Sequence, residues 1–312
     1  MVRVAIAGYG AVGRTLIEFL KNDPNHIIFV ISRKVPEGAH DPKALPITTD
    51  YQDVESIKSM LESNKIHTVI SCLSVSDESA GSAQVNLVKA AAKSTSAMRF
   101  VHSNWSIPYP EDTADWMPEL RFRFAAVEEL KKTNLEWTQV YNGFFLDYYG
   151  MPYVETFQKP LSLGLDVANK IAGIPGTGNE PITFTYTFDV AKFVQGLLEA
   201  EKWPRDSFII GDKVTWNEFV QLAEEAREGC KFEVHYDDLE KLKKFQITEL
   251  PAQVAHYSLV PKEHFQYVFA NLGRWMATGS YNLPHDGSLN EKFPHIKTLS
   301  VKAMLQQIWK GR

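Results

Sequence analysis

The sequence predicts an α/β fold: a doubly wound parallel sheet with a smaller, interwoven C-terminal region. Three observations carry this. Short β-branched runs alternate with segments of helical apolar spacing through the first 141 residues. A glycine-rich turn joins the first run to the first helix. After Asn142 the alternation gives way to FFLDYYGMPYVETF, which crowds aromatic residues beyond what a connecting loop needs.

Val2 to Ala7 is a short apolar run that suits a buried parallel strand. Gly8-Tyr9-Gly10-Ala11-Val12-Gly13 follows at once and fits G-x-G-x-x-G. Arg14 to Lys21 places Leu16, Ile17, Phe19 and Leu20 on one helical face, and Asn22-Asp23-Pro24 stops that helix. Ile27 to Ile31 is a second strand. Strand, glycine turn, helix, strand is the Rossmann-type nucleotide-binding unit. Gly8 allows the tight turn, Gly10 lets the backbone approach a pyrophosphate, and Gly13 lets helix and strand pack closely. The helix N-terminus supplies free N–H groups and a partial positive charge for phosphates. The second strand ends in Ser32-Arg33-Lys34, where an NAD-binding chain carries a carboxylate. Two cations suit a 2′-phosphate, so the expected cofactor is NADP(H).

Residues 35–46 are polar, proline-bearing and loop-like. Ile47 to Thr49 reads as a short third strand leading into Asp50-Tyr51. Asp53 to Glu62 reads as a helix and His67 to Leu73 as the fourth strand. Cys72, Leu73 and Ser74, at its carboxyl end, face the cofactor, because ligands sit outside the carboxyl ends of such strands. Gln84 to Lys93 is a helix and Met98 to His102 a fifth strand, followed by Ser103-Asn104-Trp105. Phe124 to Lys132 is a helix and Leu135 to Tyr141 a sixth strand. Asn142, Gly143 and Phe144 leave it beside the cofactor.

Further on, 172–177 reads as a turn, Pro181 to Tyr186 as a strand, and Asp189 to Ala200 as a helix with an aspartate cap. Phe208 to Ile210 is a strand, and Thr215 with Glu218 forms a capping box. The remainder reads mainly as helices over a substrate cleft. The expected organisation is an NADP-binding domain over 1–150 and a substrate-binding region over 151–312, with about 181–200 returning to the first domain.

At 312 residues the chain can bury a large core. A net charge of −5 argues against general binding to nucleic acid or membrane surfaces. Cys72 and Cys230 stand far apart without metal-ligand spacing, which fits a reducing, cytoplasmic setting without disulfides. Met1 leads directly into the first strand, so no targeting segment is expected, and no apolar run is long enough to span a bilayer. The histidines show no metal spacing, so no metal is expected.

The chain resembles the NmrA-like family of atypical short-chain dehydrogenases, which includes isoflavone reductases and many fungal proteins. The matching stretches are AIAGYGAVGRT, Arg99-Phe100-Val101 with Ser103 and Trp105, LEWTQVYNGFFLDYYG, GIPGTGNEPITFTYTFDVAKFV and FIIGDKVTWNEF. The resemblance implies a Rossmann domain, NADPH and a small organic substrate. Three departures stand out. The glycine loop is one residue shorter than G-x-x-G-x-x-G. His102 and Asn104 replace the proline and glutamate of R-F-x-P-S-E. Arg123 falls at or near the position of the family's catalytic lysine, and Tyr-x-x-x-Lys occurs nowhere in the chain.

Hydride transfer needs a proton donor beside the developing negative charge. Tyr148 and His102 are the candidate donors. Arg123 holds its proton and is a candidate for fixed oxyanion stabilisation. Trp105, Phe145, Tyr149 and Trp275 are the candidate substrate wall for an aromatic or polycyclic metabolite, although such residues also serve as core. Cys72 lacks a neighbouring base and reads as buried lining. Two functions stay open: an NADPH-dependent reductase, or an isomerase using the same pocket, and an NADP(H)-binding regulator that senses redox state and binds a protein partner.

Overall fold

The β-branched runs of the first 141 residues form the strands of one sheet in the computed structural model of the chain, which describes residues 1–35, 41–75, 77–258 and 260–312. Part of the loop read over residues 35–46, at 36–40, lies outside the described residues. Two compact units result: Met1–Tyr141 with Ala191–Ser207, and Asn142–Val190 with Phe208–Arg312.

The first unit carries strands β1 (Val2–Ala7), β2 (His26–Ser32), β3 (Ala44–Thr48), β4 (Thr68–Ser71), β5 (Arg99–Ser106) and β6 (Glu136–Tyr141). With the short strand Asp206–Phe208 they make a seven-stranded sheet, in the order Asp206–Phe208, β6, β5, β4, β1, β2, β3. Every pairing from β3 across to β6 is parallel. Helices α1 (Ala11–Leu20), α2 (Val54–Ser63), α3 (Glu78–Lys93) and α4 (Arg121–Lys131) connect the strands. Val4, Ala5, Ile6 and Ala7 are all fully buried, as expected of a parallel strand covered on both faces. Ala5, Ala7, Phe29, Ile31 and Val69 share one core with Ile57 and Leu61 of α2 and Leu87 and Val88 of α3. The strand order reverses at β1, which has β2 on one side and β4 on the other. A crevice for a ligand therefore opens outside Ala7 and Ser71, at the carboxyl ends of β1 and β4.

Several boundaries differ from the sequence reading. Helix α3 starts at Glu78, six residues before Gln84, because the Asp77 carboxylate caps it by accepting from Ala80 N at 2.9 Å. β5 continues past His102 to Ser106, with a register shift between those two residues and a left-handed Trp105 (φ 49°).

In the second unit, Ile182–Thr185 pairs in parallel with Phe144–Phe145 and antiparallel with Asp212–Val214. A later segment does join the first unit, Ala191–Ser207, overlapping the second half of the expected 181–200, and the first unit's leading segment ends at Tyr141. A second sheet joins Leu165–Asp166, Ile171–Pro175 and Glu233–Asp237. Residues 172–177, read as a turn, thus begin as a strand, because their backbone pairs on both sides. Helix α5 (Thr187–Glu199) begins two residues before Asp189. The Asp189 carboxylate, in the first turn of α5, accepts from Leu299 N at 2.7 Å. The strand read at 208–210 ends at Phe208. The capping box of Thr215 and Glu218 is present as read. Among the described residues, no helix is long and apolar enough to cross a membrane.

Candidate functional site

The glycine turn separates two physical reasons for glycine. Gly8 is left-handed (φ 105°), and a Cβ there would stand 2.7 Å from the Cys72 carbonyl oxygen. A Cβ on Gly13 would collide with the Gly8 carbonyl oxygen. Both are glycines because β1, α1 and β4 pack backbone to backbone. A Cβ on Gly10 would meet no protein atom within 4 Å, and its φ of −78° suits any residue. Internal packing therefore does not explain Gly10, whereas a ligand approaching the backbone does. Gly10 is also the N-cap of α1, with no side-chain cap and no acidic residue in the first turn. The N–H groups at Ala11, Val12 and Gly13 thus lack an N-cap side chain, and no acidic residue of the first turn offsets the positive end of the helix. The Arg14 guanidinium lies over the Tyr9 ring at 5.7 Å.

Beyond the turn lies a cavity of about 450 Å³, walled by Arg33, Tyr51, Gln52, Leu73, Ser74 and Asp77 among others. Arg33 is exposed in this wall. Lys34 is exposed beside it, and its carbonyl accepts from Ser32 Oγ at 2.6 Å. Tyr51 is buried in a left-handed turn (φ 62°), and its hydroxyl donates to the Ile31 carbonyl at 2.8 Å. The sequence reading assigned no role to Tyr51, Gln52 and Asp77. The signal available was an aromatic residue in a turn directly after a third strand.

The carboxyl ends of β4 and β5 are tied together. The Ser103 hydroxyl donates to the Leu73 carbonyl at 2.8 Å, and Trp105 Nε1 donates to the Ser71 carbonyl at 3.0 Å. Trp105, expected as a substrate wall, is 7% exposed and spends its indole N–H on this tie. Arg123, in the first turn of α4, donates from Nη1 to the carbonyls of Ser103 and Asn104 at 3.0 and 3.2 Å. Its Nη1 is thereby committed to backbone. Cys72 is a free thiol whose pKa is pushed up by burial, so it stays protonated.

His102 is 1% exposed, and neither ring nitrogen has a hydrogen-bond partner of ordinary geometry. Burial first, and the Arg123 charge second, lower its pKa to about 3, against the Arg123 backbone, which acts in the opposite direction. His102 is therefore neutral near pH 7. As a neutral imidazole the ring carries one N–H, which can donate a hydrogen bond to a reacting oxygen.

Asn142, Gly143, Phe144, Phe145, Tyr148, Tyr149 and Trp275 belong to the second unit. Gly143 is left-handed (φ 69°), and a Cβ there would strike the Thr183 carbonyl. The buried Asn142 accepts at its carbonyl from Thr185 Oγ1 at 2.7 Å. Phe144 packs against Tyr148, Phe184 and Tyr281. The Tyr149 hydroxyl donates to the Leu163 carbonyl at 2.8 Å, and its ring stacks edge-on with Trp216 and Phe219. Trp275 is 2% exposed within Lys262–Ala277. Tyr149 and Trp275, expected as substrate wall, are both nearly fully buried, and Tyr149 also lines a pocket of this unit. Phe145 is half-buried with an edge toward Tyr148. The Tyr148 hydroxyl makes a long hydrogen bond, 3.4 Å, to Gln158 Oε1. Burial raises its pKa, so it stays protonated. Asp147 beside it is fully buried and accepts from Thr156 Oγ1, Thr187 Oγ1 and Thr187 N at 2.6, 2.5 and 2.9 Å. Exposed His285, Asp286 and Glu291 bring donor atoms within 4.8 Å of one another, and nothing further points to an ion there.

No family model matches the chain. The chain is 36% identical over 301 residues to the oxidoreductase BOA1 of Botryotinia fuckeliana, covering 95% of this chain and 96% of that one. It is 31% identical over 337 residues to the oxidoreductase swnN of Metarhizium robertsii, covering 99% and 98%. A solved binary complex of leucoanthocyanidin reductase with NADPH from Vitis vinifera superposes with a TM-score of 0.75 at 17% identity, over 98% of each chain, a likeness of fold.

Proposed function

The chain belongs to the family of fungal oxidoreductases that includes these two relatives, and on that premise we propose that it is an NADPH-dependent reductase. We place it within the NmrA-like group, in the cytoplasm, acting on a small aromatic or polycyclic specialised metabolite. The observation that carries the reading is Gly10: an open-sided glycine at an uncapped helix N-terminus, in the same unit as a cavity whose wall includes Arg33.

In this reading the α1 N-terminus holds the pyrophosphate, and Arg33 with Lys34 holds the 2′-phosphate. Bound NADPH supplies a hydride. Ser103 and Trp105 hold the Leu73 and Ser71 carbonyls, fixing the backbone at the end of β4. Arg123 fixes the end of β5, so its charge acts through placement. Neutral His102 serves as a hydrogen-bond donor. Tyr148 gives up its proton to the product oxygen, a step favoured because an alkoxide is far more basic than a tyrosinate. Calorimetric titration of both reduced nicotinamides into the purified chain tests the cofactor. NADPH binding at least about tenfold tighter than NADH is expected. Equal affinities would contradict it.

A further inference from the structure

The Ile31 carbonyl oxygen accepts two hydrogen bonds, from the Gly8 N–H at 2.9 Å and from the Tyr51 hydroxyl at 2.8 Å. We propose that Tyr51 is a positioning residue for cofactor specificity: through this shared oxygen it holds the glycine turn and Arg33 at the spacing that NADPH requires. This rests on the reading of the glycine turn as the pyrophosphate site and of Arg33 as a partner of the 2′-phosphate.

β2 leaves the β1 ladder at Ile31 and the β3 ladder at Ser32, so Arg33 is the first residue beyond both. The backbone just before it is held from the following turn. Thr49 N donates to the Ser32 carbonyl at 3.0 Å, and the Tyr51 hydroxyl holds the Ile31 carbonyl. Tyr51 is 2% exposed with φ at 62°, a conformation that strains a bulky residue and persists only where its surroundings over-determine it. Here they do. Asn86 Nδ2, on α3, donates to the Tyr51 and Gln52 carbonyls at 3.0 and 3.3 Å, and Gln52 N donates to Asp50 Oδ1 at 2.9 Å. The strained turn is thus pinned to α3 by its backbone and to β2 by its hydroxyl. Burial first, and Cys72 second, raise the pKa of that hydroxyl against the Arg33 charge, so it keeps the proton it donates. Tyr51 and Arg33 also line the same cavity.

The covalent frame of the cofactor gives this tie a use. NADPH carries its pyrophosphate and its 2′-phosphate on one ribose, so their separation is nearly fixed. A chain that binds both gains affinity by holding the N–H groups of the turn and the cation at a matching distance beforehand. NADH has no 2′-phosphate and needs only the turn. Loosening the backbone under Arg33 therefore weakens NADPH more than NADH.

The test is calorimetric titration of NADPH and NADH into the full chain and its variants. Tyr51→Phe keeps the ring and removes only the hydroxyl. NADPH affinity should fall about three- to tenfold, the worth of one buried hydrogen bond, with NADH affinity little changed. The preference for NADPH should shrink accordingly, which a hydroxyl that served stability alone would not cause. Asn86→Ala releases the same turn from α3 and should shift the preference in the same direction; it carries the test if Tyr51→Phe does not fold. In an Arg33→Ala background Tyr51→Phe should leave the preference where Arg33→Ala puts it, because Tyr51 acts through Arg33. An unchanged preference in folded Tyr51→Phe, or a further loss in the double variant equal to that in the single one, overturns the proposal and leaves the cofactor reading standing. An unmutated chain that binds neither nicotinamide overturns the cofactor reading, and the role of Tyr51 with it.

Discussion

Arg123 Nη1 lies 3.0 Å from the Ser103 carbonyl oxygen, and the same nitrogen also reaches the Asn104 carbonyl. This one nitrogen of Arg123 thus clamps the backbone near the end of β5. Arg123→Ala should lower stability by about 1.5–3 kcal/mol, the worth of charge-assisted hydrogen bonds in a partly buried place. Urea denaturation reads this as a lower midpoint at constant slope. An unchanged midpoint would show that the guanidinium holds nothing.

The glycine turn makes a paired prediction. Gly10→Val should leave thermal stability near that of the unmutated chain and abolish NADPH binding, because its Cβ enters space that no protein atom occupies. Gly13→Val should lower the melting temperature sharply, because its Cβ collides with the Gly8 carbonyl. Thermal denaturation and cofactor titration on both variants check the contrast. Retained NADPH affinity in Gly10→Val would place the cofactor elsewhere.

Arg33 should separate the two nicotinamides. Arg33→Ala removes a charge-assisted partner available only to the 2′-phosphate. NADPH affinity should then fall roughly tenfold or more, with NADH little changed. Titration of both cofactors into the variant decides this, and parallel losses would contradict the assignment.

His102 links the site to acid stability. Its folded pKa of about 3 lies below the ordinary 6.5. The unfolded chain therefore takes up this proton first as pH falls. The contribution of the neutral ring is complete above about pH 6.5 and is lost on acidification toward pH 3, at about 1.4 kcal/mol per pH unit. His102→Gln should flatten the stability–pH curve of the chain in that window. Denaturant titrations at several pH values read the slope, and identical slopes in both proteins would show that the ring takes up its proton in the fold as readily as in the unfolded chain.

The sheet was legible because its strands are buried on both faces, which forces continuous β-branched runs such as Val2–Ala7 and Ile27–Ile31. The glycine turn was legible because backbone packing leaves no alternative at Gly8 and Gly13. What escaped the sequence is set by tertiary partners. Nothing local shows that Arg123 would reach the Ser103 carbonyl, or that both His102 nitrogens would be buried without partners. Ile182–Thr185 has a strand pattern, but only its pairing with Phe144–Phe145 decides which unit holds it. Tyr51 offered only an aromatic residue in a turn, because its placement follows from a left-handed backbone that the sequence does not dictate.

Turnover tests the central claim most directly. Loss of the reduced nicotinamide absorbance should be followed with NADPH and with NADH, against a panel of single-ring and fused-ring ketones and enones. Wild type and Tyr148→Phe are compared at saturating cofactor. The account predicts consumption of NADPH in preference to NADH, and a fall in kcat of about 10²–10⁴-fold in Tyr148→Phe with NADPH affinity unchanged. NADPH bound tightly but consumed with no member of the panel would contradict the reductase reading and favour a cofactor-sensing protein. Turnover within a few-fold of wild type in Tyr148→Phe would contradict the assignment of the proton donor.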